Sequence, residues 1–192
     1  RTPFMDRQFA LEYASLFEVT LPAMARLALP FPLGGTSNHF RVEWLRAVGG
    51  WDAYNVTEDA DLGFRLWRAG GSLGVLHHPT HEPPPGGLDL WLPQRTRWLK
   101  GFMQTCGVHT RDLSSLRWQG VLSLSMTVIA PVIAAAIHAF SLAWIAALVL
   151  VAVAAGLEPR TSGPALCVLG LGAAAAWFSA LVGARRAGLP YT

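Results

Sequence analysis

Glu58, Asp59 and Asp61 place three carboxylates within four residues, directly behind Thr57. A carboxylate in such a cluster can take a proton from a hydroxyl, which is general-base chemistry. The same residues also suit an ordinary helix start, because threonine caps well and first-turn acids are favoured by the helix dipole and its free N–H groups. Leu62 and Leu66 lie one turn apart, and Gly70-Gly71 supplies a stop. Further along stands Gln94-Arg95-Thr96-Arg97-Trp98. On a helix Gln94, Arg97 and Trp98 fall at i, i+3 and i+4, so an amide, a guanidinium and an indole share one face. A guanidinium grips phosphate through paired hydrogen bonds and an indole stacks on a sugar ring, so this face suits a nucleotide-sugar or a glycan. An interfacial helix that turns Arg and Trp towards lipid headgroups explains the same pattern.

The elements around these residues follow from periodicity and breakers. Residues 9–19 have helical spacing, and Pro22, Pro30 and Pro32 are expected to close that helix into a loop. In residues 34–41, Gly34 and Gly35 release the backbone into Thr36, Ser37, Asn38 and His39. A glycine-rich turn feeding a short buried strand would let backbone approach a ligand closely, although a plain hairpin turn fits too. Residues 43–48 read as a short helix stopped by Gly49-Gly50, and residues 72–77 as a buried strand between breakers. Alternating helix and strand argues for an α/β fold. His77, His78, His81 and Glu82 occupy a proline-rich loop without the spacing of a zinc site, so no metal ligand is assigned. Residues 88–109 interleave Leu90, Trp91, Trp98, Leu99, Phe102 and Met103 with Arg95, Arg97 and Lys100, as in an amphipathic helix lying on a membrane surface.

Thr57-Glu58-Asp59 followed by Gln94-x-x-Arg97-Trp98 resembles the paired signatures of processive family-two glycosyltransferases, the group of cellulose, hyaluronan and chitin synthases. Residues 34–41 and Gly49-Gly50-Trp51-Asp52 resemble the acceptor-side segment of its cellulose-synthase-like bacterial members. The resemblance implies the C-terminal half of a GT-A-like nucleotide-sugar transferase domain, α/β in class, followed by an interfacial helix and transmembrane helices. It makes Asp59 the base, with Thr57 and Glu58 orienting it. Arg97 and Gln94 would hold the donor diphosphate, Trp98 would stack on the acceptor sugar, and Gly35, Thr36 and Ser37 would line the acceptor side. Asp61 would be structural. It further implies a divalent cation, Mg or Mn, whose Asp-x-Asp ligands are absent from residues 1–55. The implied partners are a nucleotide-sugar donor, in the first place a UDP-sugar, a growing β-linked glycan and the lipid bilayer. The implied location is the bacterial inner membrane, multi-pass, with the catalytic part cytoplasmic. A non-processive enzyme making a glycolipid, and a catalytically incomplete membrane interaction protein, are the alternatives.

Composition supports a membrane protein: 52% of the 192 residues are hydrophobic and 14% charged, and residues 120–156 hold no charged side chain. The net charge of +3 comes from scattered arginine rather than a basic run, so nucleic acid is excluded as a partner. Cys106 and Cys167 have no metal spacing and give no disulfide framework. Beginning at Arg1 without a signal-peptide pattern, the chain reads as an internal piece of a longer protein. The expected domains are a partial catalytic domain over residues 1–87, the interfacial helix over 88–117, about three spans over 118–186 and a truncated tail over 187–192. Two spans would share residues 118–156 and turn near residues 137–141, residues 158–164 would form a loop, and residues 165–184 would be the third span. Three spans put Arg117 and Arg185-Arg186 on opposite sides, against the preference of both for the cytoplasm.

Overall fold

The computed structural model describes residues 3–156 and 163–190, so the core of the loop expected at 158–164 and the end of the tail lie outside them. Eight α-helices follow in order: α1 (Pro3–Ser15), α2 (Leu21–Arg26), α3 (Val42–Ala47), α4 (Glu58–Arg68), α5 (Leu88–His109), α6 (Trp118–Leu124), α7 (Ala130–Ala154) and α8 (Gly163–Arg186). No strand occurs among the described residues, which overturns the expected α/β fold. Residues 72–77 form no regular element, and Leu73 and Val75 pack on Leu21, Met24 and Phe31. They satisfy the apolar pattern of a strand but have no neighbouring strand to pair with, and without a ladder there is no sheet. The segment around Phe40 is likewise coil.

The first helix does not stop before Pro22. A π-helical turn, Leu16–Thr20, joins α1 to α2, and Pro22 lies just beyond it. A second π turn, Ser125–Ile129, precedes Pro131 in the same way and joins α6 to α7. A proline has no N–H to offer the carbonyl one turn back, and a widened turn relieves the clash of its ring with that carbonyl. Arg186 of α8 donates from Nη1 to the Glu18 carbonyl at 2.8 Å, so the group Pro22 leaves unpaired finds a partner.

The helix expected to break near residues 137–141 is continuous. Nδ1 of His138 lies 2.6 Å from the Ala134 carbonyl of its own helix, so the most polar point of the run is satisfied without a turn. Residues Trp118–Ala154 thus form one helical rod, and this rod and Cys167–Arg186 are long and apolar enough to cross a membrane. The rod has two parts. Gly120, Ser123, Leu124 and Val128 are buried, the last two in a core with Phe64 and Leu116, whereas Ile133, Ile137, Trp144, Leu148 and Val151 are exposed. Its 25-residue α7 is about 37 Å long, enough for one crossing. At its far end α8 packs on α1. Ser15 and Ser179 hydroxyls meet at 2.6 Å, and a Cβ on Gly183 would lie 2.6 Å from the Ala14 backbone. Small residues permit that close crossing.

α5 buries an unusual face. Its buried residues are Gly101, Thr105 and His109, while Leu88, Leu90, Leu92 and Met103 are exposed.

Candidate active site

The buried stripe of α5 is what receives α4. A Cβ on Gly101 would lie 2.1 Å from Thr57 Oγ1, 2.4 Å from its Cγ2 and 2.6 Å from its Cβ, so Thr57 sits directly on the helix axis side of Gly101. Below it Asn55 Nδ2 donates to Thr105 Oγ1 at 3.0 Å, and Gln104 accepts from the Val56 N–H at 3.1 Å and donates to the Tyr54 carbonyl at 3.2 Å. Thr57 stands at the N-cap position, but its hydroxyl makes no cap bond. The Thr57 N–H instead donates to Asn55 Oδ1 at 3.0 Å, and its hydroxyl points to the same oxygen at 3.4 Å. Burial against α5 has turned the side chain away from the helix end it was expected to cap.

Beyond the seam the helices are joined by charge. Asp61 and His109 are both about 1% exposed, with Asp61 Oδ1 3.0 Å from His109 Nε2. Arg65 Nε donates to Asp61 Oδ2 at 2.6 Å, and its Nη1 donates to the Val48 and Gly50 carbonyls at 2.7 Å. Arg68 Nη1 lies 3.3 Å from His109 Nδ1. A guanidinium can only donate, so Nδ1 accepts and Nε2–H points at Asp61. Burial alone would push the Asp61 carboxyl up, but the hydrogen bonds from His109 and Arg65 outweigh it and hold the group below the usual carboxylate range. Asp61 is therefore a packed ion-pair residue.

Asp59 is half-buried beside the glycine loop. A Cβ on Gly35 would lie 3.2 Å from Asp59 Oδ2, so the loop backbone passes close to the carboxylate. Burial pushes the Asp59 carboxyl above its ordinary value and the neighbouring Glu58 charge adds to the rise, while the Ala60 N–H, 2.8 Å from Oδ1, and the Arg97 charge oppose it. Tyr13 of α1 stacks on Phe9 with ring centres 4.2 Å apart. Burial raises the Tyr13 phenol, the Glu82, Glu12 and Asp59 charges add to that, and Arg95 opposes them. The charges of Asp59, Glu82, Glu12 and Arg95 therefore all act on Tyr13.

The remaining sequence-predicted residues divide. Gly35, Thr36 and Ser37 are exposed; Ser37 has a positive φ of 56° and its hydroxyl meets that of Thr80, tying the glycine loop to the proline-rich loop. Arg97 lies one turn before Gly101 on the stripe that receives α4, is exposed, and forms no hydrogen bond or ion pair among the described residues. The Gln94 side-chain oxygen Oε1 is buried without a hydrogen-bond partner there. Trp98 is half-buried, with the Arg95 guanidinium 4.4 Å from its ring centre. Sequence reasoning missed Glu12, Tyr13, Asn55, Gly101, Gln104, Thr105 and His109. The repeat Arg97, Gly101, Thr105, His109 at every fourth position was the available signal for the last members of that set. Among the described residues no three His, Cys, Asp or Glu side chains come together as metal ligands, so no ligand for a cation is assigned here.

Residues 2–178 match the glycosyl transferase family group 2. The chain belongs to that family. Over 88 residues it is 34% identical to the beta-monoglucosyldiacylglycerol synthase of Synechocystis sp., covering 45% of this chain and 17% of that protein. The chain thus spans about a sixth of the length of this relative. No solved structure matches.

Proposed function

We propose that the whole protein is an inverting membrane glycosyltransferase that moves a sugar from a nucleotide-sugar, in the first place a UDP-sugar, onto an acceptor hydroxyl. The observation that carries this reading is the α4–α5 seam, where Thr57 on Gly101 sets Asp59 within the field of Arg97. As the acceptor oxygen attacks the anomeric carbon, its bond to the diphosphate breaks and the acceptor proton passes to Asp59. Arg97, free of protein partners among the described residues, neutralises the departing diphosphate together with Gln94, and Trp98 supports the acceptor sugar. Glu58 and Thr57 orient the base. A divalent cation in the intact enzyme would supply further charge neutralisation on the diphosphate. The catalytic part lies on the cytoplasmic face of the bacterial inner membrane, with the exposed leucines of α5 in the interface and α7 and α8 crossing it.

The acceptor is read first as a growing β-linked polysaccharide. A membrane lipid is the second reading, favoured by the name of the Synechocystis relative, a glucosyldiacylglycerol synthase. Membranes carrying the full-length protein, incubated with radiolabelled UDP-sugars and divalent cation, test both. Label in alcohol-precipitable polymer supports the first acceptor and label in a solvent-extractable monoglycosyl lipid the second. Label in neither, with the protein present and several donors tried, would sink the transferase reading.

A further inference from the structure

Arg95 stands between Gln94 and Arg97 on α5 and is held unlike either. Its guanidinium lies 5.1 Å from the Trp91 ring centre and 4.4 Å from that of Trp98, covering one side of each indole. Glu12 of α1 grips the same guanidinium at two points, Nη1 to Oε1 and Nη2 to Oε2, the second at 2.6 Å. The Arg95 side chain is only 17% exposed. A planar cation pinned bidentately cannot rotate without losing one bond, so its plane is fixed, and the indoles stacked against it are fixed with it. Glu12 is itself anchored, because α1 is locked to α8 through Ser15, Ser179 and Gly183.

We infer that Glu12 and Arg95 are positioning residues for the acceptor subsite: they set the plane of the Trp98 ring and leave its other side for a sugar. This rests on the reading of Trp98 as an acceptor platform. It gives neighbouring residues of one helix two jobs. Arg97 and Gln94 meet the donor, and Arg95 tunes the acceptor contact without touching substrate. A sugar stacks on an indole through aligned C–H groups, so a ring free to swing offers a weaker platform than one held in place.

The test uses the full-length protein in membranes, UDP-glucose as donor and a short β-linked gluco-oligosaccharide as added acceptor. Glu12→Gln and Arg95→Met are each expected to raise the oligosaccharide KM roughly three- to tenfold, the range of one lost cation–aromatic contact, with the donor KM and the hydrolysis of UDP-glucose unchanged. In a Trp98→Ala background either substitution should then have no further effect, because its action passes through that ring. The swap Glu12→Arg with Arg95→Glu keeps an ion pair but puts a carboxylate against the indoles. It should restore the amount of membrane-bound protein and leave the oligosaccharide KM raised. An unchanged KM in Glu12→Gln and Arg95→Met, beside a raised one in Trp98→Ala, overturns the positioning role alone. Equal losses with and without Trp98 overturn it too, since they mark general packing. A Trp98→Ala variant with normal oligosaccharide KM overturns the platform reading, and the positioning role falls with it.

Discussion

Gly101→Ala tests whether the α4–α5 seam places the catalytic carboxylate. The new Cβ would lie 2.1 to 2.6 Å from three Thr57 atoms, where ordinary contact begins at 3.4 Å. Thr57 cannot rotate aside cheaply, because its N–H and hydroxyl are both directed at Asn55 and Asn55 is bonded to Thr105. The start of α4 must therefore lift from α5 by about 1 Å, carrying Asp59 away from Arg97. A misplacement of that size costs about a hundredfold in rate, or about 2.7 kcal/mol of barrier. Stability should change less, by a net of about 0–2 kcal/mol, because overpacking costs about 1–3 kcal/mol and alanine in a helix recovers about 1 kcal/mol relative to glycine. Turnover at saturating donor, measured beside the melting temperature of the purified full-length protein, separates the two effects. Gly107→Ala on the same helix, where a Cβ meets nothing within 4 Å, is the control and should keep full activity. Gly101→Ala turning over within threefold of the parent, at normal stability, would refute the placement argument.

Asp59→Asn should abolish transfer while leaving the melting temperature and membrane insertion near those of the parent; transfer within threefold would remove Asp59 from the role of base. Glu58→Gln should move the acid limb of the pH–rate profile to lower pH, because the Glu58 charge is one of the causes that raise the Asp59 carboxyl. A limb that stays in place or moves up contradicts that coupling. Asp61→Asn should destabilise the protein by about 3 kcal/mol by breaking a buried ion pair. The Asp61 carboxyl is lowered from its ordinary value of 3.8, so its contribution is present above that value and is lost as pH falls through the folded one. The gap in melting temperature between Asp61→Asn and the parent should therefore close on acidification below about pH 4, and a gap independent of pH would count against the ion pair.

The two helices that carry the candidate site were legible because their signals are local. The helix from Glu58 and the helix Leu88–His109 are where capping, stop residues and apolar spacing put them. What the sequence hid is the contact between them. Nothing local announces that Thr57 will pack on Gly101, or that Asn55 and Gln104 will bind the loop to the next helix, since each partner is nearly 50 residues away. The buried stripe of α5 is Gly, Thr and His, a composition that reads as surface when burial is equated with apolarity. Glu12 was invisible for the same reason: its role depends on Arg95, which lies 83 positions further along the chain. The false strands come from the converse error. Residues 72–77 have the right apolar pattern, yet a strand is a relation between two segments, and a pattern in one of them does not supply the other.

The membrane part shows how a rule applied to the wrong element produces a conflict. Counting 39 apolar residues suggests two spans, and with α8 a third, which separates Arg117 from Arg185-Arg186. In the structure the opening residues of that run are not available to lipid, because Gly120, Ser123, Leu124 and Val128 are packed on the body formed with α4 and α5. Of this rod only α7 is left exposed, and its length suits one crossing. The C-terminal end of α8 comes back to the same body, where Gly183 meets α1 and Arg186 caps the Glu18 carbonyl. In the proposed arrangement an out-and-back pair therefore puts Arg117, Arg185 and Arg186 on one side, together with Asp59. The charge preference and the apolar lengths then agree, and the contradiction disappears once burial decides which part of the run counts as a span.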